Sequence, residues 1–223
     1  MLRVIFIFFY ISLVLFAKDY SRYIKVVDFN GAVKILSSKS IVKPANYGDL
    51  LFSRDNILTE SNAYITAYLE NKFLFKLKEN STIELLDTYD KKSNIHLNFN
   101  KGEVILVSEL NANNNLLKIS ISNIEFMLSG TAIIKNNDGV FRIIFLNGFL
   151  AINNGMNIKE FSEVIVNNSN VNTNDLVMND ELRSYINEII SFPYLEKVAL
   201  PNIYREIVKF PDGAIFNSEI ITE

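Results

Sequence analysis

The chain has 223 residues and no cysteine. That excludes a disulfide framework, a thiolate metal site and a lipobox for N-terminal lipid attachment. Histidine is nearly absent too: His96 stands alone. Zinc ordinarily takes three or four His, Cys or carboxylate ligands, and this chain cannot gather enough nitrogen or sulfur. A Ser-His-Asp relay would have to run through His96, and no Gly-x-Ser-x-Gly elbow accompanies any serine. Basic excess is also lacking, with 22 Lys and Arg against 25 Asp and Glu, a net charge of −3. Loss of residues 1–17 would remove only Arg3, and −3 minus 1 gives −4. Such mild acidity argues against nucleic acid, where a clustered basic face supplies most of the affinity, and against an anionic membrane surface. The N-terminal apolar run, Val4 to Phe16, covers about thirteen residues, whereas a spanning helix needs about twenty.

That short run is nevertheless informative. Met1-Leu2-Arg3 gives a positive start, Val4 to Phe16 is apolar apart from Tyr10 and Ser12, and Ala17 precedes the polar Lys18-Asp19. Positive, apolar, small is the order of a secretory signal peptide. Leu15 is bulkier than the small residue usual three places before cleavage, which leaves an uncleaved membrane anchor as the alternative. Either way the folded part is expected outside the cytoplasm, periplasmic or secreted. Hydrophobic residues make up 49% and charged residues 21%, the balance of a chain that buries a core. An exported chain without disulfides relies on that burial, and a mature length of about two hundred residues can supply it.

Residues 18–155 read as an all-β domain of many short strands. Phe73, Phe75 and Leu77 face one way with Lys72, Lys76 and Lys78 mostly flanking them, Ile95-His96-Leu97-Asn98-Phe99 alternates strictly, and Lys118-Ile119-Ser120-Ile121-Ser122 repeats the pattern. Ile65 to Leu69, Val104 to Val107 and Phe141 to Leu146 are apolar on both sides, which suits strands covered on two faces. Turn signals punctuate them at Asn30-Gly31, Glu70-Asn71, Glu79-Asn80, Lys101-Gly102, Asn136-Asn137-Asp138-Gly139, Asn147-Gly148 and Asn154-Gly155. The spacing predicts a sandwich, a barrel or a coiled, solenoid-like sheet. Residues 156–174 read as an Asn-rich connection, in which side-chain hydrogen bonds to backbone favour loop over ladder. Within 175–223 the period changes: Leu182, Tyr185, Ile186, Ile189 and Ile190 form one face of a helix over Asp180–Ser191. Asn179 or Asp180 is placed to cap it, and Pro193 stops it. Its apolar face is expected to pack on the β domain, followed by an extended tail.

Chemistry is hard to find in this pattern. Asp87 with Asp90, or Glu79 with Glu84, are conceivable carboxylate pairs, and glycoside hydrolysis runs on two such groups about 5–10 Å apart. They sit beside turns among lysines, where solvated charge is the better reading. Asn113-Asn114-Asn115 lacks the acid that calcium requires. Tyr64, Tyr68, Phe73 and Phe75 would stack on sugar rings if exposed, but alternation in a strand marks them as core.

From residue 31 to 152 the order of signals resembles the FecR domain, an extracytoplasmic bacterial module. Gly31-Ala32-Val33 looks like its opening Gly-x-Val. Arg54-Asp55-Asn56-Ile57-Leu58-Thr59 is similar to Gly-Asp-x-Ile-x-Thr, with Arg54 where the family has glycine. Asn71 stands at the usual Asp-Gly turn, and Asn80 to Leu85 looks like the Ser-x-(apolar)-x-Leu strand. Lys101-Gly102-Glu103-Val104 resembles Leu-x-x-Gly-x-Val, and Ser129-Gly130-Thr131-Ala132-Ile133 resembles the Gly-Thr signature. Phe141 to Ile152, with Gly148, resembles the closing hairpin. The resemblance implies an all-β recognition domain with structural motif residues Gly31, Asp55, Thr59, Gly102, Gly130, Thr131 and Gly148. It implies no catalytic or metal residues and no cofactor. Its best-known members are anti-sigma regulators with a helical domain ahead of a transmembrane helix. Only Met1-Leu2-Arg3 precedes the apolar run here, so that role is not carried over.

The expected function is a non-catalytic module that recognises an envelope protein or cell-wall component, with no nucleic acid. The membrane enters only if residues 1–17 stay attached. The alternatives are a structural envelope protein assembling through sheet edges and a carbohydrate-acting enzyme. N-terminal sequencing of mature protein is expected to begin at Lys18; an intact Met1 in membrane-extracted material would establish an anchor instead.

Overall fold

The computed structural model describes residues 23–69, 73–88, 95–108, 116–153, 155–168 and 170–193, with the pairs 208–209 and 215–216. The proposed signal peptide at 1–17, Asn71, Asp90, Asn113 to Asn115 and Asn154 lie outside these residues, as do Pro201 and the Pro211-Asp212-Gly213 turn. In chain order the strands are β1 (Ile24–Asn30), β2 (Val33–Leu36), β3 (Val42–Pro44), β4 (Leu50–Leu51), β5 (Asn56–Thr59) and β6 (Tyr64–Leu69). They continue as β7 (Phe73–Leu77), β8 (Thr82–Asp87), β9 (Ile95–Ser108), β10 (Leu117–Ile121), β11 (Ile124–Asn137) and β12 (Val140–Ile152). After β13 (Asn157–Ile158), β14 (Ser162–Asn167) and β15 (Asn170–Asp175) comes the helix α1 (Asp180–Ile190). A separate two-stranded pairing joins β16 (Val208–Lys209) to β17 (Ile215–Phe216).

The first fifteen strands form one open sheet, not closed into a barrel. Three strands are long enough to belong to two layers: β9, β11 and β12. In one layer β4, β1, β6 and β7 lead to the second part of β9, then to the second part of β11, the first part of β12, β14 and β15. In the other, β3, β2, β5 and β8 lead to the first part of β9, then to β10, the first part of β11 and the end of β12. The layers enclose one apolar core. Ile24, Ile65, Phe75, Leu106 and Phe145 meet Ile35, Ile57, Ile83, Leu97, Ile119 and Leu128 there, and Phe99 meets Phe141 edge to face at 6.1 Å between ring centres. Of the arrangements predicted, a sheet folded over itself in sandwich fashion describes the molecule.

The strands that read as apolar on both sides all lie in the first layer, and α1 covers their second face. Leu74, Ile105, Val107, Ile133, Ile144 and Leu146 point away from the interlayer core and pack with Leu182, Tyr185, Ile189 and Phe192. Asn179 caps the helix, its side-chain oxygen accepting from the Leu182 amide at 2.8 Å. Asp180 and Glu181 occupy the first turn, where the helix dipole favours negative charge.

Two readings need correction. The Asn-rich stretch is no loop: β13, β14 and β15 occupy most of 157–175, and β14 and β15 pair residue for residue from Asn167–Asn170 to Ser162–Asp175. Edge position explains this, because an edge strand needs little apolar side chain to extend a ladder begun by Val164 and Val166. Nor are Lys101-Gly102 and Asn147-Gly148 turns; both lie inside long strands, where the chain changes layers. Gly130 faces Gly148 at this crossing, with a register shift directly after Thr131. Gly130 has φ +125°, and a Cβ there would lie 2.0 Å from the Asn147 carbonyl oxygen.

A Gly130→Val change must therefore shift backbone and is expected to cost about 3 kcal/mol or more. His96 is half-buried and shares a 2.8 Å hydrogen bond with the Ser120 hydroxyl, so His96→Ala should cost about 1 kcal/mol. Urea melts of the two variants check the order.

Candidate functional site

The predicted motif residues fall into two groups, and both tie strands together. Thr59 is buried in β5. Its hydroxyl donates to the Lys78 carbonyl and accepts from the Ser81 amide. The Ser81 hydroxyl in turn accepts from the Glu103 amide and donates to the Glu79 carbonyl. Gly102 completes the knot: with φ +88°, a Cβ there would lie 2.1 Å from the Ser81 hydroxyl. Asp55 is buried and accepts the Phe52 amide at 2.9 Å, closing the turn in which Arg54 takes φ +71°. The turn holds this positive φ without a glycine because the Asp55 side chain and the Arg54 amide bond to the Leu85 carbonyl pin it. Gly31 sits between β1 and β2 at φ +72°. The second group, Gly130, Thr131 and Gly148, marks the β11–β12 crossing.

The conceivable catalytic carboxylates do different work. Asp87 accepts from the Ser53 hydroxyl, Glu79 from the Asn62 amide, and Glu84 from Asn98. Among the described residues, no group of three or more His, Asp or Glu side chains could hold a metal ion. Phe73 and Phe75 are buried in the interlayer core with ring centres 5.6 Å apart, and Tyr68 is buried on β6 opposite Leu74, on the helix side. Tyr64 is only half-buried, with the Lys76 ammonium 4.4 Å over its ring. For His96, burial and then the neighbouring Lys118 push the imidazole below its ordinary pKa, leaving it neutral at pH 7.

Sequence reasoning missed a charged clasp around α1. Glu188 receives Lys76 at 2.8 Å and Lys78 at 2.9 Å. Glu103 lies 3.3 Å from both Lys78 and Lys135. Glu181 receives Lys135 at 2.6 Å and Arg142 at 2.8 Å, and Arg142 also pairs with Glu163. Tyr185 lies at the middle, with the Lys135 and Lys78 ammonium groups 4.9 and 5.4 Å from its ring centre. The cations come from the sheet and two of the four acids from the helix, so the clasp orients α1 as well as holding it. Burial alone would drive Lys78 down, but Glu188 and Glu103 outweigh it and its pKa rises. Arg142 and Lys135 hold the Glu181 carboxyl below its ordinary range. At Glu188 burial pushes upward, yet Lys76 and Lys78 prevail and the net shift is downward.

A third feature is apolar exposure concentrated in one segment. Ile41, Val42, Tyr47, Leu50, Phe52 and Leu58 are six of the nine large apolar residues left exposed among the described residues, Tyr47 at 64% and Val42 at 60%. They sit on and between β3, β4 and β5. Val42 lies opposite Leu36, and Lys34 separates Pro44 from Leu58. Lys43 pairs with Asp49 at 3.0 Å, tying β3 to the segment that carries Tyr47. These six exposed apolar side chains fall within eighteen residues of chain, and apolar exposure that is contiguous marks contact surfaces.

No family model matches the chain, and no curated protein does. Two solved structures from Parabacteroides distasonis ATCC 8503, each described provisionally as an anti-sigma factor, are similar. The one at 1.65 Å resolution has 12% identity and a TM-score of 0.48 over 59% of this chain and 64% of that one. The one at 2.50 Å has 13% identity and a TM-score of 0.46 over 74% of this chain and 85% of that one. The chain thus spans under two thirds of the first.

The clasp has a defined pH window. Both helix carboxylates have depressed pKa values, so their stabilisation is complete above the ordinary carboxylate pKa and is lost as pH falls through their lower folded values. Urea midpoints are expected to be flat above about pH 5 with respect to these groups and to drop below it. Glu188→Gln should cost about 1–2 kcal/mol at pH 7, between the exposed and buried limits for charged hydrogen bonds, and should flatten the acid limb.

Proposed function

We propose that the chain is an exported, non-catalytic recognition module of the FecR type, working in the bacterial cell envelope. The single observation that carries this reading is the gathered apolar exposure at the β3–β5 end, on a scaffold whose charged groups are largely engaged with one another. A platform with two apolar cores holds the exposed side chains of that end in fixed relation to one another, which lowers the ordering cost of binding a partner. Tyr47 and Phe52 supply aromatic area of the kind that anchors protein–protein contacts, and Val42 and Leu58 are exposed on β3 and β5. The partner that suits this chemistry is an apolar surface of another envelope protein. Motif residues Asp55, Thr59, Gly102 and Gly130 support the FecR reading by acting as framework: they shape a turn and the strand crossings, and none is arranged as a reacting group.

The test places a photo-crosslinking residue at Tyr47 or Phe52 in whole cells, with a control at Arg183 on the exposed face of α1. A discrete adduct is expected from the first two positions and not from the third. The Tyr47→Ser, Phe52→Ser pair should reduce the adduct formed from a crosslinker at Val42 at least tenfold without moving the melting temperature. Equal adducts from all sites would overturn the reading.

A further inference from the structure

We propose that the free edge of β15 joins antiparallel to β15 of a second copy, with the two-fold axis at Thr173. This goes beyond the recognition reading and does not depend on it. The register with β14 determines which backbone groups are free. Asn167 and Asn170 flank a two-residue connection, so they exchange both hydrogen bonds, and alternation carries the bonded pairs to Ile165–Asn172 and Glu163–Asn174. The bond from the Leu176 amide to the Phe161 carbonyl, 2.8 Å, continues the same alternation. The amides and carbonyls of Val171, Thr173 and Asp175 consequently point away from the sheet, and among the described residues no strand pairs with them.

Among the described residues the other edges are protected, whereas this one carries only the exposed Lys159–Asp175 pair at 3.7 Å. β3 has three residues, including Lys43 and Pro44; β4 and β13 have two each. Short length, lysine and proline are the means by which edges resist strand addition. β15 has six residues, Asn-Val-Asn-Thr-Asn-Asp, with no proline, no lysine and no arginine. Its side chains are exposed except for Val171, which packs against the rim of the interlayer core. α1 lies on a face of the sheet and leaves the edge uncovered.

Charge selects the register of the two copies. Bonds cross the joint only between residues with outward backbone groups, so the axis can lie at a bonded pair (Val171, Thr173 or Asp175) or at a non-bonded one (Asn172 or Asn174); of these, only an axis at Thr173 engages all three outward residues of β15. An axis at Asp175 opposes two carboxylates directly, and one at Val171 shortens the overlap. With the axis at Thr173, Thr173 faces its counterpart, Asp175 faces Val171 of the other copy, and Asn172 faces Asn174. The two Asp175 carboxylates then lie about 13 Å apart along the strands, four residues at 3.3 Å each, beyond the screening length at physiological salt. A Thr–Thr pair at the centre is a favourable cross-strand match.

Sedimentation of the full chain tests this. A joint of five residues from each strand is a small interface, so self-association is expected at about 10–100 µM. Thr173→Lys sets two ammonium groups against each other at the axis, and Thr173→Pro removes an amide that β14 does not use. Each is expected to weaken association at least tenfold, and Thr173→Lys should leave the urea midpoint of the monomer unchanged. If one variant misfolds, the other still decides. A wild-type chain that stays monomeric to about 100 µM, or a dimer that persists in the folded variants, would overturn the proposal.

Discussion

Everything else in this molecule depends on three strands turning over without ending. β9, β11 and β12 each cross from one layer to the other, and a strand that bends this sharply brings its own neighbours into collision. Gly102 meets the Ser81 side chain and Gly130 meets the Asn147 carbonyl at distances no Cβ tolerates, so the crossing exists only where side chains are missing. The fold gains continuity from this. Because the same strands serve both layers, the interlayer core is sealed along one side by covalent backbone, and the layers cannot slide independently. In a chain without disulfides, that continuity takes over part of the restraint a cross-link would supply.

The clasp is a second consequence. Folding the sheet buries one face of each layer, and the first layer still presents Leu74, Ile105, Ile133 and Ile144 outward. A helix of eleven residues covers them, yet an apolar stripe alone would let it rotate or shift along the sheet. Lys76, Lys78, Lys135 and Arg142 surround that stripe, and Glu181 and Glu188 lie seven residues apart on the helix, two turns along nearly one face. Pairing both carboxylates at once admits one orientation. Partly buried ion pairs of this kind contribute little net energy beyond what a snug apolar contact would; their work here is positional.

Much of this was legible because strand periodicity is a local signal. Alternation located β7, the first part of β9 and β10, and the doubly apolar runs anticipated a layer covered on both faces. The i, i+3, i+4 pattern located α1 to within one residue. The failures have physical reasons. Glycine next to a polar residue announces positive φ but not whether the chain reverses, so Lys101-Gly102 and Asn147-Gly148 were read as turns. The Asn-rich segment looked unfit for a ladder because composition reports what a strand buries, and an edge strand buries almost nothing. The clasp was invisible because its partners are far apart in sequence, as with Lys78 and Glu188 at 110 residues. Arg54 at positive φ shows the limit of glycine as a marker: a buried Asp55 accepting the Phe52 amide can hold such a turn without one.

The two layers therefore end in different chemical states. One is apolar on both faces and closed by a helix; the other is apolar inside and carries no covering element among the described residues outside, with His96, Asn98, Lys118 and Ser120 along its middle and Val42 and Leu58 toward its end. The exposed apolar residues do not sit where coverage is hardest to arrange. They lie at the end whose edge carries Pro44 and Lys43 and so resists strand addition, while the polar edge at β15 lacks such protection. The two surfaces are thus suited to different contacts: side-chain packing at the apolar end, where backbone pairing is blocked, and backbone pairing at β15, where there is little side chain to pack. A protein that used both would bind through one end of the sheet and assemble through the other, with the clasped layer between them unchanged by either.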